Sequence, residues 1–160
     1  MISRGGPTIA ARIAVGVILI ASVRPTIGPT ARWAAPQVIV FGGGPLRQRV
    51  VLNDWSENQR LMLAAGRVVR VPADSFRNRP RISVAMYWGS QWKDRTDLPD
   101  SVSIFSTLDG AQSGAFYPRV KGQPGLWVFG PAAASPGSTR ILEREGMAIL
   151  AKHGVPVDIK

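Results

Sequence analysis

The run Ile82-Ser83-Val84-Ala85-Met86-Tyr87-Trp88 constrains this chain most. Ile82, Val84, Met86 and Trp88 alternate with Ser83, Ala85 and Tyr87. A period of two over that length predicts a strand with one face in a core. The segments on either side read as further strands able to pair with it. With 17 glycines and 13 prolines among 160 residues, short strands joined by many turns are favoured over a helical bundle.

Ahead of it, Gln37-Val38-Ile39-Val40-Phe41 suits a buried strand, Gly42-Gly43-Gly44-Pro45 breaks it, and Leu46 to Leu52 reads as a partner strand in a hairpin. Asp54, with Glu57 three residues on, resembles a capping box. It opens a helix running to Ala65, with Gly66 as its C-terminal cap and Trp55, Met62 and Ala65 on its buried face. Arg67 to Val71 is expected to be a strand stopped by Pro72, and Ala73 to Pro80 a surface loop.

Beyond the central strand, Gln91 to Asp100 reads as loop, Val102 to Leu108 as strand, and Asp109-Gly110 as a turn leading into a loop that ends at Gly114. Ala115-Phe116-Tyr117 begins a strand that Pro118 would confine to an edge or a bulge. Gly125 to Phe129 is a buried strand, and Ala132 to Gly137 a loop. Thr139 to Leu142 is compatible with a strand. Glu143 to His153 turns helical, with Met147, Leu150 and Ala151 on one side, and Gly146 costs that helix ~1 kcal/mol relative to alanine. Val155 to Ile159 reads as a terminal strand. The expected fold is α+β: a mainly antiparallel sheet, sandwich-like or curled, with about two helices.

The domain organisation expected is a segment at 1–35 followed by a single β-rich domain at 36–160. Behind a start containing Arg4 and Arg12, the uncharged run Ile13 to Val23 matches the hydrophobic region of a signal peptide. It falls short of the ~20 residues that a spanning helix needs. The Pro-rich stretch after it suits a cleavage region or a tether. Its small-residue cleavage sites are imperfect and Arg24 and Arg32 follow the run, so an uncleaved anchor is the alternative to removal. Export to the periplasm or exterior, or anchoring to the membrane through Ile13 to Val23, is therefore the expected location.

Chemistry is limited by what the chain lacks. With no cysteine there is no disulfide framework, thiol nucleophile or thiolate metal site. His153 is the sole histidine, so a multi-histidine metal site is impossible and any triad would need that residue at a helix end. The glycines at 42–44 lack P-loop spacing and read as a turn. Ser113 is one position off a nucleophile elbow and reads as a loop serine. Asp94, Asp97 and Asp100 do not follow the spacing of a calcium loop and read as solvated acids. No cofactor and no metal are expected.

Charge and aromatics point to binding. The net charge is +10, and Arg60, Arg67, Arg70, Arg77, Arg79 and Arg81 stand against Asp74 alone in their stretch. Such a balance attracts nucleic acid, anionic lipid or acidic polysaccharide. Trp88 and Trp92 flank the end of the central strand and can stack on sugars or bases, although core packing explains them as well. The sequence-level site is the place where Trp88 and Trp92 would meet Arg67, Arg70, Arg77, Arg79 and Arg81. A non-catalytic binding or structural role in the cell envelope, with an envelope protein or anionic polymer as partner, is the leading expectation. Polyanion binding through the arginines of 60–81 comes second, and a hydrolase third.

Overall fold

The computed structural model describes residues 35–102, 110–130 and 138–160. The strand expected over Val102 to Leu108, the loop Ala132 to Gly137 and the whole N-terminal run lie largely or wholly outside them. Element order is β1 (Val38–Gly42), β2 (Val50–Leu52), α1 (Trp55–Ala64), β3 (Ala65–Val68), β4 (Ile82–Tyr87), β5 (Ala111–Tyr117), β6 (Leu126–Phe129), β7 (Thr139–Leu142) and α2 (Arg144–Lys152). The strands make one seven-stranded sheet in the order β2-β1-β4-β5-β6-β7-β3, and every pairing is antiparallel. The fold is α+β with two α-helices, and its described strands form one sheet, not a sandwich.

β4 alternates as its sequence requires, but both of its faces are covered. Ile82, Val84 and Met86 join Ile39, Phe41, Phe116 and Trp127 beneath Leu61 and Ala64 of α1 and Met147, Ile149 and Leu150 of α2. Trp127 is fully buried, with Phe41 edge-on to it at 5.7 Å and 89°. Each aliphatic or Phe side chain so buried contributes about 1.5–3 kcal/mol, so this layer dominates stability. The opposite face is closed by loops. Leu98, Trp92 and Val102 cover Val38, Val40, Ala85, Tyr87 and Ala111. Val69, Val71 and Phe76 cover Ala115, Tyr117, Leu126 and Val128.

Asp54 caps α1 as expected, its carboxylate accepting from Glu57 N–H at 3.0 Å, but the Glu57 carboxylate, the other half of a capping box, is turned to Lys152 and His153 instead. The buried face of α1 is another one: Glu57, Asn58, Leu61 and Ala64 point inward, while Trp55 is 43 % exposed. Asn58 sets this rotation, because its Nδ2 donates to Pro36 O, Gln37 O and Leu52 O and ties the helix to the start of β1 and the end of β2. Gly66 does not cap α1. Ala65 does, donating its N–H to Leu61 O, and the chain passes straight into β3.

Several boundaries move. β2 begins at Val50, not Leu46, and β3 occupies 65–68 instead of 67–71. The stretch 111–114, expected as loop, pairs along β4, and β5 is an interior strand, not an edge. Pro118 does not interfere because the last ladder pair is Tyr117 with Leu126. On α2, Ile149 takes the buried place expected for Ala151, which is exposed. The tail makes one parallel bridge, Arg119 with Asp158, instead of a strand. No helix among the described residues is long and apolar enough to cross a membrane.

Candidate functional site

The tryptophans and arginines singled out by sequence are kept apart by β4. Arg77, Arg79 and Arg81 precede the strand, whereas Trp88 and Trp92 follow it. Six residues of strand separate the two groups by about 20 Å. Trp88 packs against the helix-side core, and Trp92 packs on the loop side with its ring 5.2 Å from Tyr87. Arg67 lies on β3 and Arg70 just beyond it, at the sheet edge and four strands from β4, about 19 Å away.

Arg79 is a structural residue. One terminal nitrogen donates to Pro118 O and Pro124 O at 2.7 Å each, and lies 3.5 Å from Tyr117 O. The guanidinium thus clamps the base of the β5–β6 hairpin, and burial pushes its pKa down from the usual arginine range. Arg77 pairs with Asp74 at 3.2 Å, both exposed, while Arg67, Arg70 and Arg81 also face solvent.

The topology gathers other cations in the place of the expected cluster. Antiparallel register puts the β1–β2 turn, the approach to β4 and the β5–β6 turn at one end of the sheet. Gly44, at φ +57°, lies so close that a Cβ there would strike the carbonyl of Arg81, which seats the turn carrying Arg47 beside that residue. The tail runs back to the same end, with Arg119 N–H donating to Val157 O at 2.8 Å and Ile159 N–H to Arg119 O at 2.9 Å. Between this tail and the hairpin is a shallow groove of about 540 Å³ lined by Arg119, Lys121, Gln123 and Lys160. Nothing in the sequence marks Lys160 as a neighbour of Arg119, Lys121 and Gln123.

A second constellation joins the helices. Glu57 of α1, with its side chain only 11 % exposed, accepts from Lys152 Nζ and lies 2.6 Å from His153 Nε2. Hydrogen bonding from Lys152 above all, then from His153, holds the Glu57 carboxyl below its ordinary range. His153 also lines an open groove of about 660 Å³ with Arg47, Gln48 and Arg49. A carboxylate orienting an imidazole is half of a nucleophile-activating arrangement. Among the hydrogen bonds of the described residues, none brings a hydroxyl to His153.

The remaining candidates are committed elsewhere. Ser113 is not a loop residue. It stands on β5, accepting from Val102 N–H at 2.6 Å and donating to Val102 O at 2.8 Å. Asp97 pairs with Arg95 at 2.8 Å, which lowers its pKa, and Asp100 packs over Gly42. No group of three His, Cys, Asp or Glu able to hold a metal occurs among the described residues. Gly42 ends β1 paired with Ser83, and the turn starts at Gly43 and Gly44, whose positive φ is the conformation that glycine adopts at least cost.

Compared with protein-family models, curated proteins and solved structures, the chain matches none.

Proposed function

We propose that this chain is a small exported or membrane-tethered domain with a non-catalytic binding or structural role in the cell envelope. What supports the non-catalytic part is that Lys152, and no hydroxyl among the hydrogen bonds of the described residues, accompanies the Glu57–His153 pair. His153 is held 2.6 Å from a Glu57 carboxylate that Lys152 also occupies, so the three side chains join α1 to α2. The envelope part rests on the uncharged run Ile13 to Val23 behind a basic start. Intact masses of the full-length protein from cytosolic, membrane and periplasmic fractions test the location. A shortened species outside the cytosol supports a cleaved signal, and a full-length species in the membrane supports an anchor. Full-length protein confined to the cytosol would overturn the reading.

Polyanion binding is the second reading, and the exposure of Arg67, Arg70, Arg77 and Arg81 favours it. The Coulombic contribution of exposed cations is screened by salt, so binding that weakens steeply between low and physiological ionic strength is its expected signature.

A further inference from the structure

We infer that the end of the sheet formed by the β1–β2 turn, the approach to β4 and the β5–β6 turn is a binding face for a linear acidic polysaccharide. The inference rests on the reading of the chain as a binding domain and names the face and the ligand class.

Arg47, Arg77, Arg81, Arg119, Lys121 and Lys160 come from four separate stretches of chain, and all are exposed. β1, β4, β5 and β6 are consecutive in the sheet, so the turns and approaches at their ends form a row about 15 Å long. Arg119, Lys121 and Lys160 line the shallow groove and Arg47, Arg77 and Arg81 stand outside it, and cations so spread match a chain of repeated charges better than a point anion. Of the acids at this end, Asp158 pairs with Arg119 at 3.2 Å and Asp74 with Arg77 at 3.2 Å, while Asp100 packs over Gly42. On the helix side, Glu145 pairs with Arg60 at 3.7 Å. Arg79 holds the hairpin and the β4 approach together from beneath, so the row sits on fixed backbone.

The placement of the aromatics separates this ligand from single-stranded nucleic acid. Single-stranded nucleic acid is held by aromatic platforms interleaved with cations. Here Trp88 and Trp92 are at the opposite end of β4, while Phe41, Phe116 and Tyr117 at this end are buried and Phe76 is turned onto Tyr117 at 4.8 Å.

The test uses the full-length chain with fluorescent oligogalacturonate of about ten sugars, single-stranded oligodeoxythymidylate and anionic phospholipid vesicles as probes, at two salt concentrations. R47S/K121S is compared with K93S/R95S, which removes the same charge at the far end, and thermal unfolding checks that both variants fold. The expected result is salt-sensitive oligogalacturonate binding that R47S/K121S weakens at least tenfold and K93S/R95S less than twofold. Equal losses in both variants would overturn the face. Tighter binding of oligodeoxythymidylate or vesicles than of oligogalacturonate would overturn the ligand class. No binding of any probe at low salt would overturn the whole inference, yet leave the envelope reading to be decided by the fractionation masses.

Discussion

Arg79 reaches Pro124 across 45 residues of sequence, donating a 2.7 Å hydrogen bond to its carbonyl from the same nitrogen that serves Pro118. This one side chain fastens the approach to the central strand onto the neighbouring hairpin. Arg79→Met is expected to destabilise the fold by about 1–3 kcal/mol, since it strands part-buried carbonyls. Arg67→Met and Arg81→Met, at exposed positions, are expected to stay within about 0.5 kcal/mol of the parent. Urea unfolding of the three variants checks this, and equal effects would refute the clamp.

Gly146 provides an opposite-sign test of helix propensity against packing. In a free helix Gly→Ala is worth ~1 kcal/mol of stability. In α2 a Cβ at this position meets Leu142 Cδ1 at 2.5 Å and Ala64 Cβ at 3.0 Å. Gly146→Ala is therefore expected to destabilise by about 1–3 kcal/mol. A raised melting temperature would show that α1 and α2 are not packed this closely.

The Glu57 carboxylate gives a pH signature. Its folded pKa is held below the ordinary value of 4.5 by Lys152 and then His153. A lowered carboxyl pKa contributes stability that is fully present above the unfolded value and is lost as pH falls through the folded one. Glu57→Gln is expected to be clearly less stable than the parent at pH 7, with the gap shrinking progressively below about pH 4.5. A gap constant from pH 7 to pH 3 would remove Glu57 as the source.

Tyr87 holds the loop that roofs the outer face, donating from its hydroxyl to Pro99 O at 2.7 Å, while Arg49 donates to Thr96 O at 2.5 Å and to Leu98 O. Burial first, and Asp100 second, push the phenol pKa up, so the hydroxyl stays protonated and able to donate. Tyr87→Phe is expected to cost about 1 kcal/mol. Its second effect is faster hydrogen exchange over the described part of the 93–102 loop, with helix exchange unchanged. Slower exchange in that loop, or a loss spread over the whole fold, would count against the tether.

The features legible in the sequence are local. The two-residue period of β4, the Asp54 cap and the helical turn after Glu143 follow from alternation and capping chemistry, which act within a few positions. Other segments are ambiguous at that range. Gly110 to Gly114 looked like a turn because glycine, serine and small residues dominate it, yet Gly114 sits in β5 where a Cβ would meet Val128 O across the ladder. Helical spacing groups Trp55 with Met62 and Ala65 on one face, but Asn58, tied to Pro36 O, turns Trp55 outward.

Which cations stand together is set by the tertiary fold. The arginines of 67–81 are close in sequence and divide into an exposed edge, a half-buried clamp and part of one sheet end. Arg47, the Arg119–Lys121 turn and Lys160 are distant from one another in sequence and converge there. The reason is that antiparallel pairing returns alternate turns to the same end of a sheet, an outcome of strand order and register that no local window contains.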